Sequence, residues 1–171
     1  MLGSLKLYKS PLEFIELAKR LPQFIFVLVI NDIKENIDIF IKEYKINISK
    51  NLTIYPQQND VVPFYNQTSL VLNLSNKKQF VETFGLTALE AMSAGLPVIV
   101  PTEGGIAEMV VDGENGYKID VQNLNQIAEC IKTILSDETL YMKLAQNALA
   151  YSKRFSEAKM VNCIEMILNR K

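Results

Sequence analysis

The sequence contains no histidine and no tryptophan. Without an imidazole, neither a Ser-His-Asp or Cys-His nucleophile nor an HExxH zinc site can be assembled from this chain. Cysteine is scarce: Cys130 and Cys163 lie far apart, outside any CxxC pair and on apolar faces of expected helices. They read as reduced core residues rather than as a metal or redox pair. No hydrophobic run is long, since Phe24 to Ile30 falls far short of the ~20 residues of a membrane-spanning helix, and the opening Met-Leu-Gly-Ser-Leu-Lys has no secretory pattern. A cytoplasmic location is the resulting expectation. Excess charge of one sign is also missing. With 18 Lys plus Arg against 19 Asp plus Glu, the chain carries no footprint for nucleic acid or an anionic membrane, so an anionic ligand has to be gripped locally. No GxGxxG follows the first strand region, which argues against a dinucleotide-dependent dehydrogenase. Repeats, low-complexity tracts and linkers are absent as well.

What is present is a chain of 171 residues, 49% apolar, enough for one globular domain with a proper core. Short apolar runs alternate with longer amphipathic stretches, the pattern of an α/β domain with a doubly wound parallel sheet. Ser10-Pro11-Leu12-Glu13 has the form of a capping box with proline at the first helical position, opening a helix that runs to about Leu21. Phe24 to Ile30 has no alternation and predicts a strand buried on both faces. A helix is expected over Lys34 to Lys45, a strand over Leu52 to Tyr55, a short helix over Val61 to Asn66 and a strand over Leu70 to Leu74. After the polar segment Ser75 to Thr83, which carries Lys77 and Lys78, come a helix over Phe84 to Ala94 stopped by Gly95, and a strand over Pro97 to Val100. Gly104-Gly105 leads into a short helix, Asp112 to Gly116 forms a turn, and Tyr117 to Ile119 is the last strand. The C-terminal helices, 123–170, show stripes at Leu124, Ile127, Ala128, Ile131 and Ile134, then at Leu140, Leu144, Ala148 and Tyr151, then at Val161, Ile164 and Leu168. At the front, Gly3 arrives after only two residues, so the first strand is expected to be truncated.

Open parallel sheets bind ligands at the carboxyl ends of their strands, and the richest loop there is Glu82-Thr83-Phe84-Gly85-Leu86-Thr87-Ala88-Leu89-Glu90. Gly85 has no side chain, so an anion can approach the amides of Phe84 to Thr87 at a helix N-terminus. Two carboxylates flank this seat and suit the hydroxyl groups of a phosphate-bearing ligand. The plainer alternative makes Thr83 an ordinary cap and leaves Glu82 and Glu90 solvated. The spacing of two glutamates does not decide between them.

The wider context does carry information. Glu82-Thr83-Phe84-Gly85-Leu86, Leu89-Glu90-Ala91-Met92, Gly95-Leu96-Pro97-Val98-Ile99, Gly104-Gly105 with Glu108, and the turn Asp112-Gly113-Glu114-Asn115-Gly116 together resemble glycosyltransferase family 4, the glycosyl transferases group 1. These are retaining enzymes of the GT-B fold. The resemblance covers essentially the whole chain, is most specific across residues 82–116, and implies a Rossmann-like domain, the C-terminal half of such an enzyme.

By position, it implies that Glu90 binds the ribose hydroxyls of a nucleotide and that Glu82 contacts the transferred sugar. The backbone amides of Phe84, Gly85, Leu86 and Thr87 would hold sugar and diphosphate, and Pro56-Gln57-Gln58 would receive the base through main chain. Lys9 matches the lysine on the diphosphate. Ser4 stands where the family has an arginine, and Ser10 where it has a glycine. Lys6, Lys77 and Lys78 are the nearby cations that could substitute for the arginine, an ordinary solvated lysine being the better reading of each. The segment Asn76 to Val81 also looks longer than in many members.

The family's acceptor pocket and catalytic-site histidine belong to an N-terminal domain that is missing here. The chain is therefore expected to be the donor-binding domain of a longer enzyme that transfers a sugar from a UDP-, GDP- or ADP-sugar to an acceptor hydroxyl in polysaccharide or glycoconjugate synthesis. No metal or other cofactor is expected, no nucleic acid is a partner, and any peripheral membrane association would run through the missing half. Alone, the chain is expected to bind nucleotide weakly and transfer nothing. Two alternatives stay open: a non-catalytic nucleotide-sugar-binding module or subunit, and a nucleotide-sugar epimerase of the same two-domain fold.

Overall fold

A computed structural model of the chain describes residues 1–155 and 157–169. Its strands are β1 (Leu2–Gly3), β2 (Phe26–Ile30), β3 (Leu52–Tyr55), β4 (Val71–Leu72), β5 (Val98–Val100) and β6 (Gly116–Lys118). All pair in parallel, in the orders β1-β2-β3 and β4-β5-β6. The order thus runs outward in both directions from β1 and β4, and among the described residues no hydrogen-bonded ladder joins those two strands. Both are only two residues long. A common core holds the halves together, with Leu28 and Leu52 from one sheet in the same cluster as Leu72 and Ile99 from the other.

The helices are α1 (Pro11–Arg20), α2 (Lys34–Glu43), α3 (Val62–Asn66), α4 (Leu86–Ser93), α5 (Gly105–Glu108), α6 (Leu124–Ser136), α7 (Glu138–Ser152) and α8 (Glu157–Leu168). Every residue of β5 is fully buried, as expected for a strand covered on both faces. The stripe Ile127, Ile131 and Ile134 of α6 enters the main core together with Leu144 of α7, while Ala148, one turn further along α7, packs in the second cluster beside Ala91 and Met92 of α4. On α8, by contrast, Val161, Ile164 and Leu168 are exposed. The side chain of Cys163 lies outside the described residues.

The capping box at Ser10 does not form. Ser10 has left-handed backbone angles, φ 56° and ψ 48°, and makes no side-chain cap bond. Its N–H instead donates to Leu7 O at 2.9 Å and closes the tight turn Leu7–Lys9. An N-cap serine needs extended backbone to reach forward, and this turn forces the opposite conformation. The hydroxyl is buried without a hydrogen-bond partner.

Two further boundaries shift for local reasons. β2 begins at Phe26 rather than Phe24, because the Asn51 amide donates to the carbonyls of Ala18, Leu21 and Phe24 and fixes the link from α1 before the strand starts. α4 begins at Leu86 rather than Phe84, because Gly85 precedes it at φ 73°.

Candidate functional site

The reversal between β1 and β4 opens a cleft of about 570 Å³ at the carboxyl ends of the strands. Ser4, Lys9, Gln57, Gln58, Glu82, Phe84, Gly85, Leu86, Thr87 and Glu90 all line it. Pro56 does not, although its carbonyl accepts a hydrogen bond from Gln58 Nε2 at 2.9 Å. Gln57 is held by its own N–H on Asp32 O, so the loop after β3 is tied to the loop after β2.

One wall is built on Lys9. Its ammonium pairs with Glu82 Oε2 and lies 3.4 Å from Ser75 Oγ, while the Ser75 hydroxyl donates to the same Glu82 oxygen at 3.2 Å. Ser75 is almost wholly buried directly behind the pair. Among the described residues that line the cleft, Lys9 is the one cationic side chain. Ser4 reaches the cleft with a neutral hydroxyl, which accepts from Lys6 N–H at 3.4 Å. Lys77 is engaged by Glu103 at 2.5 Å and Asp120 at 3.7 Å, and Lys78 by Gln122 at 2.8 Å, and neither lines the cleft.

The floor is the start of α4. The positive φ of Gly85 turns the chain into the helix, and a Cβ there would meet Ile106 Cδ1 at 2.5 Å. Among the described residues, the N–H groups of Phe84, Gly85, Leu86 and Thr87 have no main-chain acceptor. Several unpaired donors at a helix N-terminus make a seat for an anion. The loop before it is braced from behind, since a Cβ on Gly105 would collide with the Thr83 carbonyl. The role of Gly104-Gly105 is therefore to let α5 abut the backbone of Glu82 and Thr83.

Glu90 forms the opposite wall. Its Oε2 accepts a 2.7 Å hydrogen bond from Tyr65 on α3, which is itself buried. Burial, followed by the hydrogen bond and negative charge of Glu90, holds the Tyr65 phenol well above its ordinary value, so it remains a donor. Sequence alone places Tyr65 on a short helix without a role, and Ser75 only in a polar segment. The signal for Tyr65 was indirect: a carboxylate among the small apolar residues of α4 needs a partner.

Solved structures share this fold. The C-terminal domain of a glycosyl transferase group 1 family protein, LpcC, from Francisella tularensis superposes with a TM-score of 0.72 at 28% identity, covering 90% of this chain and 82% of that one. HepE from Anabaena, in complex with UDP and glucose, gives a TM-score of 0.82 at 25% identity over 99% of this chain and 48% of that one. N-acetyl-alpha-D-glucosaminyl L-malate synthase from Bacillus anthracis is 30% identical over 142 residues, 82% of this chain and 36% of that protein. These likenesses define the class, a Rossmann-like domain of the GT-B glycosyltransferase fold. The chain belongs to the glycosyl transferases group 1 family, whose pattern its residues 1–151 match. It spans between 10% and 36% of the length of three curated relatives it matches.

Proposed function

We propose that this chain is the donor-binding half of a retaining, family 4 glycosyltransferase, which moves a sugar from a nucleotide-sugar to an acceptor hydroxyl supplied by another domain. The observation that carries the proposal is the cleft itself: free amides at the start of α4 and the Lys9–Glu82 pair on one side, and a Tyr65-oriented Glu90 on the other.

In this reading the diphosphate sits on the α4 N-terminus beside Lys9, where preset donors meet the negative charge that grows as the sugar leaves. Glu90 holds the ribose hydroxyls, Glu82 and the amides after it face the sugar, and the loop of Gln57 and Gln58 receives the base. Lys9 has three N–H donors, so it can serve a phosphate oxygen while keeping Glu82 oriented. The complexes of HepE with UDP, with UDP and glucose, and with UDP-glucose support this ligand class. Protein groups alone supply the chemistry proposed here, without a metal. A cytoplasmic setting and a part in polysaccharide or glycoconjugate synthesis belong to the same proposal. Among the described residues, no helix is long and apolar enough to cross a membrane.

The deciding experiment is calorimetric titration of the chain with UDP, GDP, ADP and their sugar conjugates, repeated with Glu90→Ala. Binding by one base series, weakened about tenfold or more by the substitution, is the expected outcome. No binding at millimolar concentration, or binding indifferent to Glu90, would overturn the assignment.

The single cationic side chain lining the cleft among the described residues favours a second reading, a nucleotide-sugar-binding module without catalysis of its own. The two differ in the product formed once an acceptor domain is added. Sugar transfer supports the enzyme, whereas tight donor binding without transfer supports the module.

A further inference from the structure

The segment after Ser75 is folded back over the front loop. Asn76 N–H donates to Tyr8 O at 2.7 Å, and the Asn76 carbonyl accepts from both Gln79 and Phe80 N–H at 2.9 Å. This tight turn carries the Phe80 ring onto Tyr8, stacked with centroids 4.7 Å apart and planes at 28°. Lys77 and Lys78, tied to Glu103 and Gln122, fasten the outer side of the turn. The Lys9 ammonium lies 4.9 Å from the Phe80 centroid and 5.8 Å from that of Tyr8. It is thus bounded by two ring faces on one side and by Glu82 and Ser75 on the other.

We propose that Phe80 is a positioning residue for Lys9: its ring, stacked on Tyr8, holds the ammonium at the cleft wall where a diphosphate is gripped. The proposal rests on the donor-site reading above and adds the segment 76–80 to that site. A lysine on a four-carbon stem loses considerable rotamer freedom when it is fixed on a ligand, and part of that loss is already met where the stem and charge rest on aromatic faces. The effect matters most where one lysine has no neighbouring arginine, which is the situation with Ser4 in the arginine position.

The test compares the full 171-residue chain with Phe80→Leu and Phe80→Tyr, titrated with UDP, GDP and ADP and with the corresponding nucleosides, each also in a Lys9→Met background. Phe80→Leu is expected to weaken the diphosphate that binds by about fivefold and to leave its nucleoside unchanged, while Phe80→Tyr restores the loss. In the Lys9→Met background the Phe80 effect disappears, because the partner it acts through is gone. Tyr8→Leu, which removes the ring stacked on Phe80, is the second probe and gives a smaller loss of the same kind. Unchanged diphosphate affinity in both leucine variants, an equal loss for the nucleoside, or an equal loss without Lys9 overturns the proposal. A wild-type chain that binds none of the three diphosphates removes the donor-site reading and this inference together. Wild-type binding with an indifferent Phe80 removes this inference alone.

Discussion

The Tyr65 hydroxyl donates to Glu90 across the gap between α3 and α4, at 2.7 Å, and leaves the other carboxylate oxygen without a partner among the described residues. Fixing one oxygen of a carboxylate fixes the direction of the other. In the proposed site that second oxygen is the acceptor for a ribose hydroxyl.

Tyr65→Phe keeps the ring packing and deletes only the donor. A hydrogen bond to a charged acceptor contributes about 1.5–3 kcal/mol, so binding of a ribonucleoside diphosphate is expected to weaken by roughly tenfold. A diphosphate lacking the ribose hydroxyls should lose much less. Isothermal titration with both ligands checks this, and an equal loss for the two would place the effect on folding rather than on Glu90.

Gly105→Ala puts a methyl group against the Thr83 carbonyl. Backbone cannot yield as a side-chain tip does, so the loop carrying Glu82 has to move, at a cost of about 1–3 kcal/mol. Urea denaturation should show a lower midpoint with an unchanged slope, and donor binding should fall in parallel. A variant as stable as the wild type would mean that this contact is looser than described.

Ser10→Gly should stabilise the domain. The position has φ 56° and a buried hydroxyl without a partner, and glycine removes both penalties while adding flexibility to the unfolded chain. The expected net gain is about 1 kcal/mol, seen as a rise of a few degrees in melting temperature. A lower melting temperature would show that the hydroxyl is satisfied in solution.

Burial, and secondarily the charge of Asp112, pushes the Cys130 thiol up to about 12. In the unfolded chain the thiol ionises near its ordinary value of 9.0, so the folded state holds the proton over the intervening range. The unfolded state binds fewer protons there, and stability must fall as pH rises. Its contribution is complete below pH 9 and is lost between pH 9 and 12. Denaturation at a series of pH values should show a steeper alkaline loss in the wild type than in Cys130→Ala, and parallel curves would remove Cys130 as the cause. The same proton affinity predicts slow alkylation of Cys130 at neutral pH in the native state.

Much of this fold was readable because its elements follow local rules. The apolar runs at Val27 to Ile30 and Val98 to Val100 lack alternation because helices cover both faces, and the stripe Ile127, Ile131, Ile134 is the inward face of α6. The loop from Glu82 to Glu90 was readable for a similar reason, since a glycine before a helix and its free amides are adjacent in sequence. Ser10 misled because Ser-Pro-Leu-Glu satisfies the rule for a cap, while the turn before it imposes the backbone angle. Tyr65 was illegible because its partner is 25 residues away, and no local pattern records which hydroxyl will meet Glu90. Phe80 escaped for the same reason: its stack on Tyr8 joins two loops that only the parallel crossovers bring together.

The contact between α5 and the backbone of Glu82 and Thr83 also says where this cleft can give way. Because no room remains for even one carbon atom between Gly105 and Thr83, that loop and that helix travel as a single block. The segment beside Lys9 on the same wall is fastened by the Tyr8–Phe80 stack, one main-chain hydrogen bond and the Lys77 ion pairs, which part more easily than interlocked main chain. Compliance is therefore uneven within one wall. A ligand entering the cleft finds an anvil under Glu82 and a spring under Lys9.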